Sequence, residues 1–107
     1  MLILGGNVMN IPKAIKILYK TYEVEQKENL HDGQDELYGQ IHYLPEKIIL
    51  NSESSEHQKR ATLIHECIHG IDEMYRIELK EEQVEKLGNA LYMLINDNPQ
   101  MFGGDEE

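Results

Sequence analysis

The sequence predicts an α+β fold: a small antiparallel or mixed sheet of three to four strands, then two helices, in a single domain over residues 1–107. Three observations lead there. Between 14 and 51 the apolar residues alternate or run in short β-branched blocks, the two-residue period of strands. From 56 onward they recur every three to four residues, the period of a helix packed on one side. The helical half also contains His65-Glu66-Cys67-Ile68-His69, two imidazoles at positions i and i+4 and so on one helix face.

Residues 1–12, with Gly5-Gly6-Asn7 and Pro12, read as a loose lead-in. Met1 to Leu4 lack the cationic start and the length of a signal peptide. Ile15, Ile17 and Tyr19 alternate, as do Tyr22 and Val24, which predicts strands over 14–19 and 22–27 with a turn near Lys20-Thr21. A helix over 13–22 competes, because Ile11, Ile15, Leu18 and Tyr22 also suit its period; the β-branched and aromatic content favours strands. Residues 28–36 are polar, hold Asp32-Gly33 and read as a loop. A strand follows over 37–43, with Gly39 marking a bulge or a close approach. Leu44-Pro45-Glu46 turns the chain into a buried strand over 47–51.

Ser55 followed by Gln58 has the form of a capping box, so the first helix should run from 56 to about 75. Its apolar side collects Leu63, Ile64, Cys67, Ile68, Ile71, Met74 and Tyr75. At about 100° per residue, His65, His69 and Asp72 fall opposite, with Glu66 on the flank. A second helix runs over 81–96, with an apolar stripe of Val84, Leu87, Gly88, Leu91, Leu94 and Ile95, and is stopped by Asn96-Asp97-Asn98-Pro99. Residues 100–107 read as a flexible acidic tail.

Composition narrows the function. Twenty acidic residues against ten basic ones give a net charge of −10, which argues against nucleic acid and anionic membrane surfaces as partners and suits a soluble protein. No apolar run approaches the length of a membrane span. The single cysteine, Cys67, precludes an internal disulfide, suits a cytoplasmic location and reads as a small core residue.

The chemistry lies in the histidine pair. Imidazoles one turn apart can grip one divalent ion, and the glutamate after the first can reach an activated water without ligating the metal. A catalytic zinc usually takes a third protein ligand. Glu73, Glu78, Glu81, Glu82 and Glu85 lie downstream; helical geometry prefers Glu81, at the edge of the second helix's stripe, with Glu85 next. Asp72, one turn past His69, is a candidate to receive an imidazole N–H behind the metal. Tyr75, Tyr92, His42 and Tyr43 are candidate donors to an oxyanion, while His57 and His31 lack ligand spacing and read as surface residues, the default for His42 as well.

These residues resemble the ImmA/IrrE-type metallopeptidases, small gluzincin-like enzymes best known from phage and other mobile elements and from stress responses. His65, Glu66 and His69 match the H-E-x-x-H signature, and Glu81, Val84, Leu87 and Gly88 match the second, a glutamate followed by apolar and small residues. The resemblance covers 55–107 well and the preceding sheet plausibly, with a short gap between His69 and Glu81 and no fused DNA-binding or sensor domain. It implies a minimal zincin-like domain, one Zn2+ held by His65, His69 and Glu81, and Glu66 as general base in peptide hydrolysis. Family members often cleave or inactivate a helix-turn-helix repressor, which implies a protein or peptide substrate of that kind. A strand edge within 37–50 could hold such a substrate in extended form. Two other expectations stand beside this one: a non-catalytic zinc-stabilised module that binds its partner without cutting it, and a hydrolase of a non-peptide amide.

Overall fold

A computed structural model of the chain describes residues 9–102. Strands β1 (Ala14–Ile17) and β2 (Lys20–Lys27) form an antiparallel hairpin in which Ile17 faces Lys20 across a two-residue turn. The turn is Leu18-Tyr19, two residues earlier than its expected place, and Leu18 adopts a left-handed φ of 57°. Tight hairpins need such backbone and usually recruit Gly or Asn, so Leu-Tyr gave no signal. The competing helix over 13–22 does not form. Ile17 and Tyr22 are buried instead, with Ile15 and Val24 packed beside them.

The expected loop over 28–36 contains a two-stranded ribbon, β3 (His31–Asp32) with β4 (Asp35–Glu36), reversed at Gly33, where φ is 66°. Strands of two residues carry no alternation to read. Strands β5 (Gly39–His42) and β6 (Lys47–Asn51) complete a mixed four-stranded sheet in the order β1-β2-β6-β5. β6 is one of the two inner strands, parallel to β2 and antiparallel to β5. Its buried Ile48, Ile49 and Leu50 form the continuous apolar block of a strand covered on both sides. The β5–β6 register runs unbroken from Gly39, so that glycine marks a close approach and not a bulge. A Cβ there would stand 2.5 Å from Thr62 Cγ2 and 3.0 Å from the Ile49 carbonyl oxygen.

Helix α1 (Glu56–Tyr75) covers the sheet, and Leu63 joins Ile17, Tyr22, Ile48 and Leu50 in the core, with Cys67 and Met74 against them. Ser55 Oγ accepts from the Gln58 N–H at 3.0 Å, but Gln58 does not complete the capping box: its Nε2 donates to Thr62 Oγ1 at 2.9 Å. Helix α2 (Glu81–Asp97) packs on α1 and leaves most of its own surface open. Only a narrow strip at four-residue spacing is buried: Val84, Gly88 and Tyr92. Leu87, Leu91 and Leu94, expected in the stripe, remain 44%, 38% and 43% exposed because one helix, not a core, lies beneath α2.

Met9 and Ile11, in the expected lead-in, pack against the core. Gln100 to Phe102, expected in the tail, belong to a 3-10 turn (Pro99–Phe102). The rest of the lead-in, 1–8, and of the tail, 103–107, lies outside the described residues. Among those described, no helix is long and apolar enough to cross a membrane.

Candidate metal centre

Three donors meet where α1 and α2 cross. His65 and His69 stand one turn apart on α1, and Glu81 is the first residue of α2. The connection between the helices fixes their meeting. α1 ends at Arg76, whose left-handed φ of 55° reverses the chain. Asp72 Oδ1 then accepts from the N–H of Glu78 at 2.7 Å and of Leu79 at 3.2 Å, and the Asp72 carbonyl accepts from the Ile77 N–H at 3.3 Å. Gln83 Oε1 accepts from the Lys80 N–H at 2.8 Å and so orders the first turn of α2. Glu81 therefore projects from a fixed point.

His65 Nε2 lies 3.3 Å from Glu81 Oε2, and His69 Nε2 lies 3.2 Å from Glu81 Oε1. One ligating atom from each of the three residues falls within 4.8 Å of the others. Ligands roughly 2.0–2.1 Å from a tetrahedral ion stand about 3.3 Å apart, so the spacing suits a shared ion. Direct charge-assisted N–H···O bonds are shorter, roughly 2.7–2.9 Å. Burial lowers the pKa of His65, and the neighbouring His69 lowers it further against the opposing pull of Glu81 and Glu85. The ring is thus kept neutral, the form that ligates a metal. Gly88 faces the His65 backbone at this point, where a Cβ would meet His65 Cα at an ordinary 3.5 Å.

Glu66 is 7% exposed and has no hydrogen-bond partner among the described residues. Burial, and then the charge of Glu81, push its carboxyl up to about 7. It lies on the wall common to two cavities. The larger, about 640 Å³, also takes in Glu36, Tyr38, Gln58, Glu85 and Asn89 with the three donors. The smaller, about 330 Å³, is lined by Asp32, His42 and Tyr43 among others. Leu37, Gly39, Glu66 and His69 belong to both, so the two halves meet at the site, with edge strand β5 alongside.

The other candidates divide. Asp72 does not back a histidine: its carboxylate is spent on the connection, and it pairs with no imidazole among the described residues. Glu85 lines the larger cavity without joining the three donors. Tyr92 is buried on the side of α2 that meets α1, its hydroxyl 2.9 Å from His57 Nδ1, and reaches neither cavity. Tyr75 ends α1 exposed and also misses both. Tyr43 donates to the His69 carbonyl at 3.4 Å, and burial holds its hydroxyl protonated, with a pKa of about 12. His42 lies in the smaller cavity, Nε2 3.1 Å from Gln40 Oε1. Burial also pushes the Cys67 thiol up to about 11, which leaves it inert. Tyr38, Glu36, Gln58 and Asn89 were missed. Asn89 was within reach of sequence reasoning, since it lies two turns past Glu81 on one helix face. Compared with known proteins, the chain matches no family model, no curated protein and no solved structure.

Proposed function

We propose that the chain is a zinc-dependent endopeptidase acting on a protein or peptide in the cytoplasm, of the ImmA/IrrE type that its two signatures resemble, with a helix-turn-helix repressor as the substrate the resemblance suggests. The observation that carries this reading is the convergence of two imidazole nitrogens and one carboxylate beside a buried, unpaired glutamate. His65, His69 and Glu81 would hold one Zn2+, which when bound supplies Lewis acidity and lowers the pKa of a water toward neutrality. Glu66, with a carboxyl near 7, takes a proton from the attacking water and returns it to the leaving amine nitrogen. β5 offers the unpaired side of an edge strand to an extended peptide, and the two cavities give it room on both sides of the scissile bond.

A purely structural zinc site is closed by four protein ligands and has no use for a base. Only three donors gather here among the described residues, and Glu66 stands free beside them. The test is elemental analysis alongside a peptide-hydrolysis assay. Wild type should carry about one zinc per chain and cut. His65→Ala and Glu81→Ala should lose the metal, and Glu66→Gln should retain it and lose hydrolysis. Zinc-loaded wild type that cuts no peptide and still binds a partner would establish the non-catalytic module instead.

A further inference from the structure

We propose that Glu36 and Glu85 form a recognition site for a lysine or arginine side chain of the substrate, adjacent to the bond presented to Glu66. This rests on the peptidase reading above and specifies its substrate class. Glu36 ends β4 and Glu85 stands one turn beyond Glu81 on α2, so two separate elements bring carboxylates to the larger cavity. Glu81 is occupied with the histidines. Glu36 and Glu85 have no ion pair among the described residues, and no lysine or arginine lines the cavity. The remaining polar groups there, Gln58, Asn89 and Tyr38, are neutral. Glu66 opens into the same space, nine-tenths buried and without a partner. Its carboxyl oxygens are open to that space and free to meet a donor or a positive charge on the occupant.

With Zn2+ offset by Glu81 and Glu66, the charges of Glu36 and Glu85 would be left over, so the cavity favours a cationic side chain and repels an anionic one. The smaller cavity has a single carboxylate of its own, Asp32, and also takes in His42. Selection for a base therefore belongs to one side of the scissile bond.

Peptides identical except for lysine, norleucine or glutamate at each position flanking the bond test this. Binding is read by fluorescence anisotropy on zinc-loaded Glu66→Gln protein, and cleavage on zinc-loaded wild type. Lysine should exceed norleucine by about fivefold in affinity and in kcat/KM, on one side of the bond only, with glutamate last. The lysine-to-norleucine ratio should fall toward unity in the Glu36→Gln/Glu85→Gln double variant and with added salt. Glu36→Gln alone, on a different element from the metal ligands, should about halve the ratio even where Glu85→Gln disturbs zinc. Equal binding of the three peptides, or a lysine preference that survives both substitutions, overturns the proposal. Cleavage without charge preference overturns it and leaves the peptidase standing. Lysine-selective binding without cleavage supports the recognition site and removes the hydrolysis, and peptides neither bound nor cut remove both.

Discussion

Glu66 is the base of the proposed chemistry, and its pH behaviour makes it measurable without a substrate. In the folded, metal-free chain burial makes its carboxyl keep a proton up to about 7, against an ordinary value of 4.5. Between those values the folded state binds more protons than the unfolded one, so stability falls as pH rises through that window. The full effect is about 3 kcal/mol. The lowered pKa of His65 adds an opposing slope common to both chains, so the stability of wild type relative to Glu66→Gln, by chemical denaturation of metal-free protein from pH 4 to 8, should fall with pH and leave the variant the more stable at pH 8. A difference between the two chains that does not change with pH would assign the effect to another group. Tyr22 gives a second residue-level test. Its hydroxyl is fully buried with no partner among the described residues, so Tyr22→Phe should leave the melting temperature unchanged or raise it. At this scale the sequence was informative where side chains sit on long helices, as with His65, Glu66, His69 and Glu81. It misplaced Asp72, whose role depends on the backbone of a short connection, and missed Glu36, on a two-residue strand, and Tyr38, on the bend before β5.

Between elements, two contacts set the site. Asp72 secures the α1–α2 connection, so Asp72→Ala should cost about 1–2 kcal/mol by thermal melt and also weaken zinc binding, although Asp72 touches no ligand. Zinc affinity unchanged in a destabilised variant would show that Glu81 is positioned by other means. The second contact is Gly39 beneath α1. Gly39→Ala drives a methyl into Thr62 and the Ile49 carbonyl, at about 1–3 kcal/mol. Gly70→Ala meets the flexible tip of Ile17 at 2.7 Å and should cost less. Differential melting of the two variants measures the ranking. Both ends of α1 were legible, since Ser55 stops the strand region and caps the helix, and the apolar period runs out at Tyr75. The β1–β2 turn and the β3–β4 ribbon were not, because left-handed Leu18 and two-residue strands leave no pattern.

For the whole molecule, the proposed ion would bridge the two helices, and a ligand held only by the folded state stabilises it by mass action. At a hundredfold excess over Kd the gain is about 2.7 kcal/mol, several degrees in Tm for a chain of this size. Zinc should therefore raise the melting temperature of wild type, a chelator should reverse the shift, and His65→Ala should show none. The α+β class and the order of strands before helices were readable from periodicity. The neighbours in the sheet were not. Alternation identifies a strand and is silent on its partner, and β2 pairs in parallel with β6 across the intervening ribbon and β5.

That crossover orders events on the ribosome. β1 and β2 can zip as soon as they emerge, but one flank of β2 stays bare until Lys47–Asn51 follow, and α1 has no finished surface to settle on before then. Glu81 leaves later still, so until α2 emerges a nascent chain holds at most two of the three donors, and the proposed cation site is incomplete before then.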